Sequence, residues 1–290
     1  VASTISGVTT LVAGAGNDIT LDNASNAFGT VLVTSGKDVV LVDTDAITLG
    51  ASTISGTLDV TAGGILTIGG AVGATGGATT LTANAMAIGA ALDGTGQIVT
   101  LKPADSSTAI NLGTGTGALD LTNTEIDYIT ATTLRIGADD ASTGAITVSS
   151  DITPANTATL HLRTPSTITG TDGGIIETNL ALTAGDLVNF TSGNTAVTKL
   201  AVSNSGQAVT FTDIGGIDLG SVDGVTGITA TTFNLTTSGA ITNSVASTIS
   251  GTTTLNADEN NITLDLANEL GTVSVTSADD LTLVDASTLS

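Results

Sequence analysis

The sequence predicts an all-β chain folded as a right-handed parallel β-helix (β-solenoid) with about 20 residues per coil. Three observations predict it. Short segments alternate apolar and polar residues with the strand period of two, as in Ile19/Leu21, Val31/Val33, Val39/Leu41, Leu58/Val60 and Leu66/Ile68. Gly, Asn, Asp and Ser separate these segments, so strands start about ten residues apart. The text also repeats itself: Val1-Ala-Ser-Thr-Ile-Ser-Gly7 returns as Val245-Ala-Ser-Thr-Ile-Ser-Gly251, a step of 244.

The alternation continues along the chain in Ile47/Leu49, Leu119/Leu121, Leu160/Leu162, Val209/Phe211 and Leu281/Leu283. Two such strands make one coil in this reading. An antiparallel sandwich has similar strand spacing. Against it stand the near-interchangeable strand sequences and the lack of tight hairpin dipeptides such as Asn-Gly. Aromatic core anchors are lacking as well, since only 2% of residues are aromatic. In a solenoid each strand lies on its equivalent one coil away, at about 4.8 Å, so equivalent positions favour similar residues.

Composition agrees. The chain of 290 residues is 40% hydrophobic, has no Trp, and carries 36 Gly and 3 Pro. Lys and Arg number 5, far too few for an ordinary helical protein. A mean hydropathy of +0.42 argues against disorder.

The long repeat reaches further than one phrase. Ile19-Thr-Leu-Asp22 returns as Ile262-Thr-Leu-Asp265, and Leu41-Val-Asp43 returns as Leu283-Val-Asp285. A third short copy is Ala51-Ser-Thr-Ile-Ser-Gly56. Residues 1–290 therefore read as a single continuous solenoid segment, with 1–49 and 245–290 as copies of one repeat. The chain reads as a window on a longer tandem array, since it starts at Val1 inside repeat text with no leader in front. Residues 100–170 are less regular. Pro103, Pro154 and Pro165 fall there, with Lys102, Arg135, His161 and Arg163. Proline has no N–H for a sheet ladder, so these positions predict turns or protruding loops.

Net charge is −22, which excludes nucleic acid as a partner and disfavours anionic lipid. The acidic surface keeps a long apolar-rich fibre soluble. There is no cysteine and no apolar run long enough to cross a membrane as a helix.

Thr57-Leu-Asp-Val-Thr-Ala-Gly-Gly-Ile-Leu-Thr-Ile-Gly-Gly70, Asn17-Asp-Ile-Thr-Leu-Asp-Asn23 and Ser149-Ser-Asp-Ile-Thr153 resemble the repeats of filamentous haemagglutinin-like exoproteins, giant bacterial surface adhesins. The resemblance rests on repeat style over most of the chain. It implies a right-handed parallel β-helix, export to the bacterial cell surface, and adhesion.

Calcium is the leading ligand candidate. Ala13-Gly-Ala-Gly-Asn-Asp-Ile-Thr-Leu21 resembles one nonapeptide of the calcium-binding β-roll, which makes Asn17, Asp18 and Asp22 candidate ligands. No second copy follows nine residues later, and such sites need successive turns. Catalysis is not expected. Glu125 with Asp127, Asp139 with Asp140, and Asp43 with Asp45 are paired carboxylates, with Tyr128 beside the first pair. The simpler reading makes them turn residues. The one histidine, His161, lies in Leu160-His-Leu-Arg163, where alternation places it outside as a surface residue. Thr132, Thr133 and Thr232 show no aligned rank of the kind an ice-binding face needs. Asn23, Asn156, Asn194 and Asn260 are candidates for stacked amide ladders at turns.

The expected role is mechanical: a stiff extracellular stalk of a giant secreted surface protein, without enzymatic activity. Its partners would be neighbouring repeats or other copies end to end. Two other readings are a subunit of a self-assembling extracellular filament and a calcium-dependent module.

Overall fold

The computed structural model describes residues 1–113, 118–204 and 206–286. Residues 114–117 of the irregular stretch and 287–290 of the second repeat copy thus lie outside the described residues. The chain divides into two compact units, Val1–Thr143 with Pro154–Ala158, and Gly144–Thr153 with Thr159–Ser290. Each is a parallel β-solenoid, and the coil length is the one the repeats predict.

In the first unit the step can be read from the register. Ile19 pairs with Val39, Val39 with Leu58, Leu58 with Thr79, and Thr79 with Val99, steps of 20, 19, 21 and 20 residues. These pairs belong to the strands Ile19–Leu21, Val39–Asp43, Leu58–Ala62, Thr79–Thr82 and Leu92–Lys102. A second parallel sheet orders Thr4–Val12, Ala27–Ser35, Ile47–Leu49, Ile65–Ile68 and Ala85–Ile88. A third ladder, joined to the first through the long strand Leu92–Lys102, stacks Ser52–Ile54 on Val72–Ala74 and then on residues 92–94 and 129–131. A coil here has three strands, one per ladder. The sequence spacing suggested two, because a strand such as Ser52–Ile54 holds only 3 residues and follows directly on Ile47–Leu49. Three residues give a single period of alternation, and the corner Gly50-Ala51 between them merges with both.

Inward positions form ranks along the stack. One runs Leu21, Leu41, Val60, Leu81, Leu101, Ile136, each paired in register with the next. In the second unit Leu160, Leu180, Leu200 and Leu219 form another. All are buried except Leu21, which is half-buried in the first coil. Burying one such side chain contributes about 1.5–3 kcal/mol. The alternating outward residues are mainly Thr, Asp, Asn and Lys, which suit an exposed pleated face.

The aromatic residues correct the expectation of a core without ring anchors. Phe28, Phe190, Phe211 and Phe233 are all buried. Phe190 and Phe211 are register partners with ring centroids 5.6 Å apart and tilted by 46°. The paired Gly170 admits the Phe190 ring, since a Cβ there would overlap it.

The irregular stretch contains the prolines in their expected places: Pro103, Pro154 and Pro165 all lie outside strands. It also contains a short helix, Asn123–Asp127. Thr122 and Glu125 close its N-terminus as a capping box, each side chain accepting the other residue's backbone N–H.

Candidate functional site

The strands Thr159–Thr164, Ile176–Ala184 and Ala196–Ser203 lie side by side in the second unit. Their outward residues His161, Ala181 and Ala201 share one row. Neighbouring outward rows carry polar residues, Asn179 beside Lys199 and Thr183 beside Ser203. The two alanines leave a shallow apolar trough on an otherwise polar face.

A β-hairpin fills that trough. Ser221–Val222 and Val225–Thr226 pair antiparallel, with Ser221 opposite Thr226 and Val222 opposite Val225. The turn residues Asp223 and Gly224 have φ of +47° and +82°. Positive φ at both positions defines the type I′ turn, whose twist matches paired strands and which Asp-Gly favours. Val222, at 4% exposure, packs against Ala181 and Ala201, and Val225 joins them at the edge. The result is a small second core on the outside of the coil.

The turn is then pinned to the wall. Asp223 Oδ2 lies 2.6 Å from His161 Nδ1, and the two side chains are only 8% and 5% exposed. His161 Nε2 lies 2.9 Å from Thr183 Oγ1. Both ring nitrogens therefore have partners, one a carboxylate. Such charge-assisted bonds in a dry site are the strong ones.

This overturns the expectation of an ordinary surface histidine. Alternation did place His161 on the outside of the coil, but the hairpin covers it. The signal for it is Asp223-Gly224 between Val222 and Val225, a hairpin dipeptide other than Asn-Gly. Threonine, histidine and aspartate in line also match the order of a nucleophilic triad. With His161 buried beneath the hairpin, a substrate cannot reach both Thr183 Oγ1 and the ring unless the hairpin lifts. The contacts as they stand make a clasp.

The calcium candidates lie on exposed turns. Asn17 donates its side-chain amide to the Ala13 carbonyl at 2.8 Å. Asp18 Oδ1 accepts the Asp38 N–H at 3.3 Å and lies 3.8 Å from Lys37 Nζ. One coil on, Asp38 Oδ1 accepts the Thr57 N–H at 2.8 Å. Asp18 and Asp38 thus form a turn ladder along the stack. Lys37 beside it, and the Thr57 amide and hydroxyl, hold the Asp38 carboxyl down to about 2. Asp22 is exposed. Among the described residues, no three His, Cys, Asp or Glu side chains gather as a metal site.

The paired carboxylates are distributed over structural tasks. Glu125 caps the short helix and accepts the Ile88 N–H at 3.2 Å. Asp127 accepts the Ala155 N–H at 3.0 Å and the Asn123 side-chain amide at 2.9 Å. Asp140 accepts both the amide and hydroxyl of Ser142, and Tyr128 is exposed. Asp43 points inward, 2% exposed, while Asp45 is exposed. Asp43 accepts the Phe28 N–H at 2.6 Å and the Asp45 N–H at 2.8 Å. Asp213 does the same with Val197 and Gly215, both at 2.7 Å. Burial pushes the Asp213 carboxyl above the ordinary range, against the lowering effect of those two N–H bonds.

The turn asparagines do not stack amide on amide at the expected positions. Asn23 accepts the Ser25 N–H, Asn156 donates to the Asp127 carbonyl, Asn194 to Asp151, and Asn260 to the Ala257 carbonyl. An amide pair forms elsewhere, Asn243 donating to Asn268 Oδ1 at 3.1 Å. Asn268 also repeats the bonds of Asn26. Asn26 Oδ1 accepts the Ser3 N–H at 3.0 Å, and Asn268 Oδ1 accepts the Ser247 N–H at 2.9 Å. The long repeat is therefore structural as well as textual.

The family match follows the same repeats. Residues 1–35, 36–101 and 206–277 match the model of the family described as repeats of unknown function (DUF5649), together more than half of the chain. The chain belongs to the DUF5649 family. The DUF5649 segments take in both ends of the long repeat and the hairpin with Asp223, whereas His161 and Thr183 lie between the matched stretches. No curated protein and no solved structure matches the chain.

Proposed function

We propose that this chain is a mechanical repeat region, a stiff stalk within a large, secreted bacterial surface protein of the adhesin kind. The observation that carries the reading is the use of polar side chains. Asp18 and Asp38 tie turn to turn, Asp43 and Asp213 tie coil corners, and His161 with Asp223 ties a hairpin to the wall. Each of these groups bonds to the chain itself. Stacked coils support one another through nearest neighbours, which suits a spacer that carries load along its length. The acidic surface, at net charge −22, keeps such stalks apart in solution.

Labelling of intact cells with an antibody against this chain tests the location, and the mass of the intact polypeptide tests the stalk. Surface labelling that external protease removes, on a polypeptide many times larger than 28.1 kDa, is the expected result. Labelling only after lysis overturns the surface role. A mature polypeptide near this chain's own mass overturns the stalk in favour of a filament subunit.

A further inference from the structure

We infer that the outer face of the Thr4–Val12 strand is a docking surface for one further solenoid coil, of the kind formed by residues 228–243 and supplied by a neighbouring repeat of the same polypeptide. This deepens the stalk reading and rests on it.

The phrase Ala-Ser-Thr-Ile-Ser-Gly occurs at 2–7, 51–56 and 246–251. Two of the three copies sit under an earlier coil, and both use the phrase in the same way. Ser52 Oγ accepts the Val33 N–H at 3.0 Å, and Ser247 Oγ accepts the Ile228 N–H at 3.0 Å. In each the donor lies 19 residues upstream. In each the isoleucine two places on is covered, Ile54 and Ile249 both being 2% exposed. The first copy is held alike from below, through Asn26 in place of Asn268. On its other side Ile5, the counterpart of the covered Ile249, is 41% exposed, and Thr9 and Leu11 are half-buried where Thr253 and Leu255 are buried.

The second copy shows what fits there. The strand Thr248–Asn256 is covered by Ile228–Thr237, with Ala230 on Ile249, Phe233 on Thr253 and Leu235 on Leu255. Thr253 and Leu255 are fully buried under it. By the 244 step their counterparts are Thr9 and Leu11. The face therefore fits a parallel strand that sets a phenylalanine over Thr9 and a leucine over Leu11, with a backbone N–H for the Ser3 hydroxyl. The same polypeptide is inferred as the source because the equivalent face, on Thr248–Asn256, is covered by a coil of its own chain.

The test joins a copy of residues 206–244 directly ahead of Val1 in the full chain. Amide hydrogen exchange is then followed at 4–12, with 248–256 in the same molecule as the internal standard. The expected result is that exchange at 4–12 slows to the rate of the matching amides in 248–256. A control extension with Phe233→Asp and Leu235→Asp in the added copy gives no slowing. Unchanged exchange at 4–12 in the extended chain overturns the inference. So does protection that grows with protein concentration in the unextended chain, which makes a second molecule the occupant. Neither readout depends on where the protein is displayed, so failure here is distinct from failure of the surface labelling.

Discussion

Burial of the Asp213 carboxyl makes one coil corner sensitive to pH. A raised folded value means that the folded chain holds this proton more tightly than the unfolded chain. The stability it contributes is fully present below about pH 4 and is lost as pH rises through the folded value. Asp38 has the opposite sign. Held down to about 2, it contributes stability above the ordinary carboxylate value and loses it as pH falls. Denaturant unfolding between about pH 2 and 6 should show this as two opposed slopes. The stability gap between the parent and Asp213→Asn should narrow as pH rises, and the gap to Asp38→Asn should widen. Parallel, flat gaps contradict both assignments. The clasp makes a second prediction at this scale. His161→Ala leaves the Asp223 carboxylate buried without its ring partner, at a cost of about 3 kcal/mol. Hydrogen exchange should find the loss at 221–226, and adding Asp223→Ala should restore part of it, because the two residues share one interaction. Additive losses in that double-mutant cycle would show that the contact carries no energy. Asp43 reads as a turn residue in the sequence, because the period of two does not tell an inward acid at a coil corner, such as Asp43 or Asp213, from an outward one. Only the two backbone N–H groups waiting there make the inward choice favourable.

At the scale of elements, alternation located the longer strands and placed most inward residues correctly, down to Val39/Leu41 and Leu160/Leu162. It missed the third strand of the coil, which is too short to show a period. It placed Phe211 with Val209 but left Phe28, Phe190 and Phe233 without a role, because four phenylalanines in 290 residues look negligible as composition. Their placement decides otherwise: Phe190, Phe211 and then Leu235 follow one another in a single inward rank. Phe211→Ala should therefore cost about 3–5 kcal/mol. The exchange protection of Val188–Phe190 and Ile228–Thr237, the strands on either side, should fall together. A loss confined to Ala208–Asp213 would show that the rank does not transmit support between coils. The hairpin was legible in principle, from Asp-Gly between two valines. Its landing site was not, since Ala181 and Ala201 come together only through a register that brackets 20 residues.

For the whole molecule the sequence carried the coil length, which reappears as hydrogen-bond register, and the long repeat, whose copies share the bonds of Asn26 and Asn268. The repeat also explains why so few kinds of side chain suffice. Each coil meets nearly the same neighbour, so one solution to packing serves many times. The absence of native cysteine allows a clean test of the step of about 20 residues. Thr80 and Thr100 are register partners on adjacent coils, both outward. Paired parallel strands lie about 4.8 Å apart, within reach of a disulfide. Asp93 is closer to Thr80 in sequence but is in register with Gly73 and Thr130, away from the Thr80–Thr100 pair. The decisive measurement is oxidative crosslinking of two double variants, Thr80→Cys with Thr100→Cys and Thr80→Cys with Asp93→Cys. The stacked coil predicts rapid closure of the 80–100 pair and none of the 80–93 pair; closure of 80–93 in preference to 80–100 would contradict it.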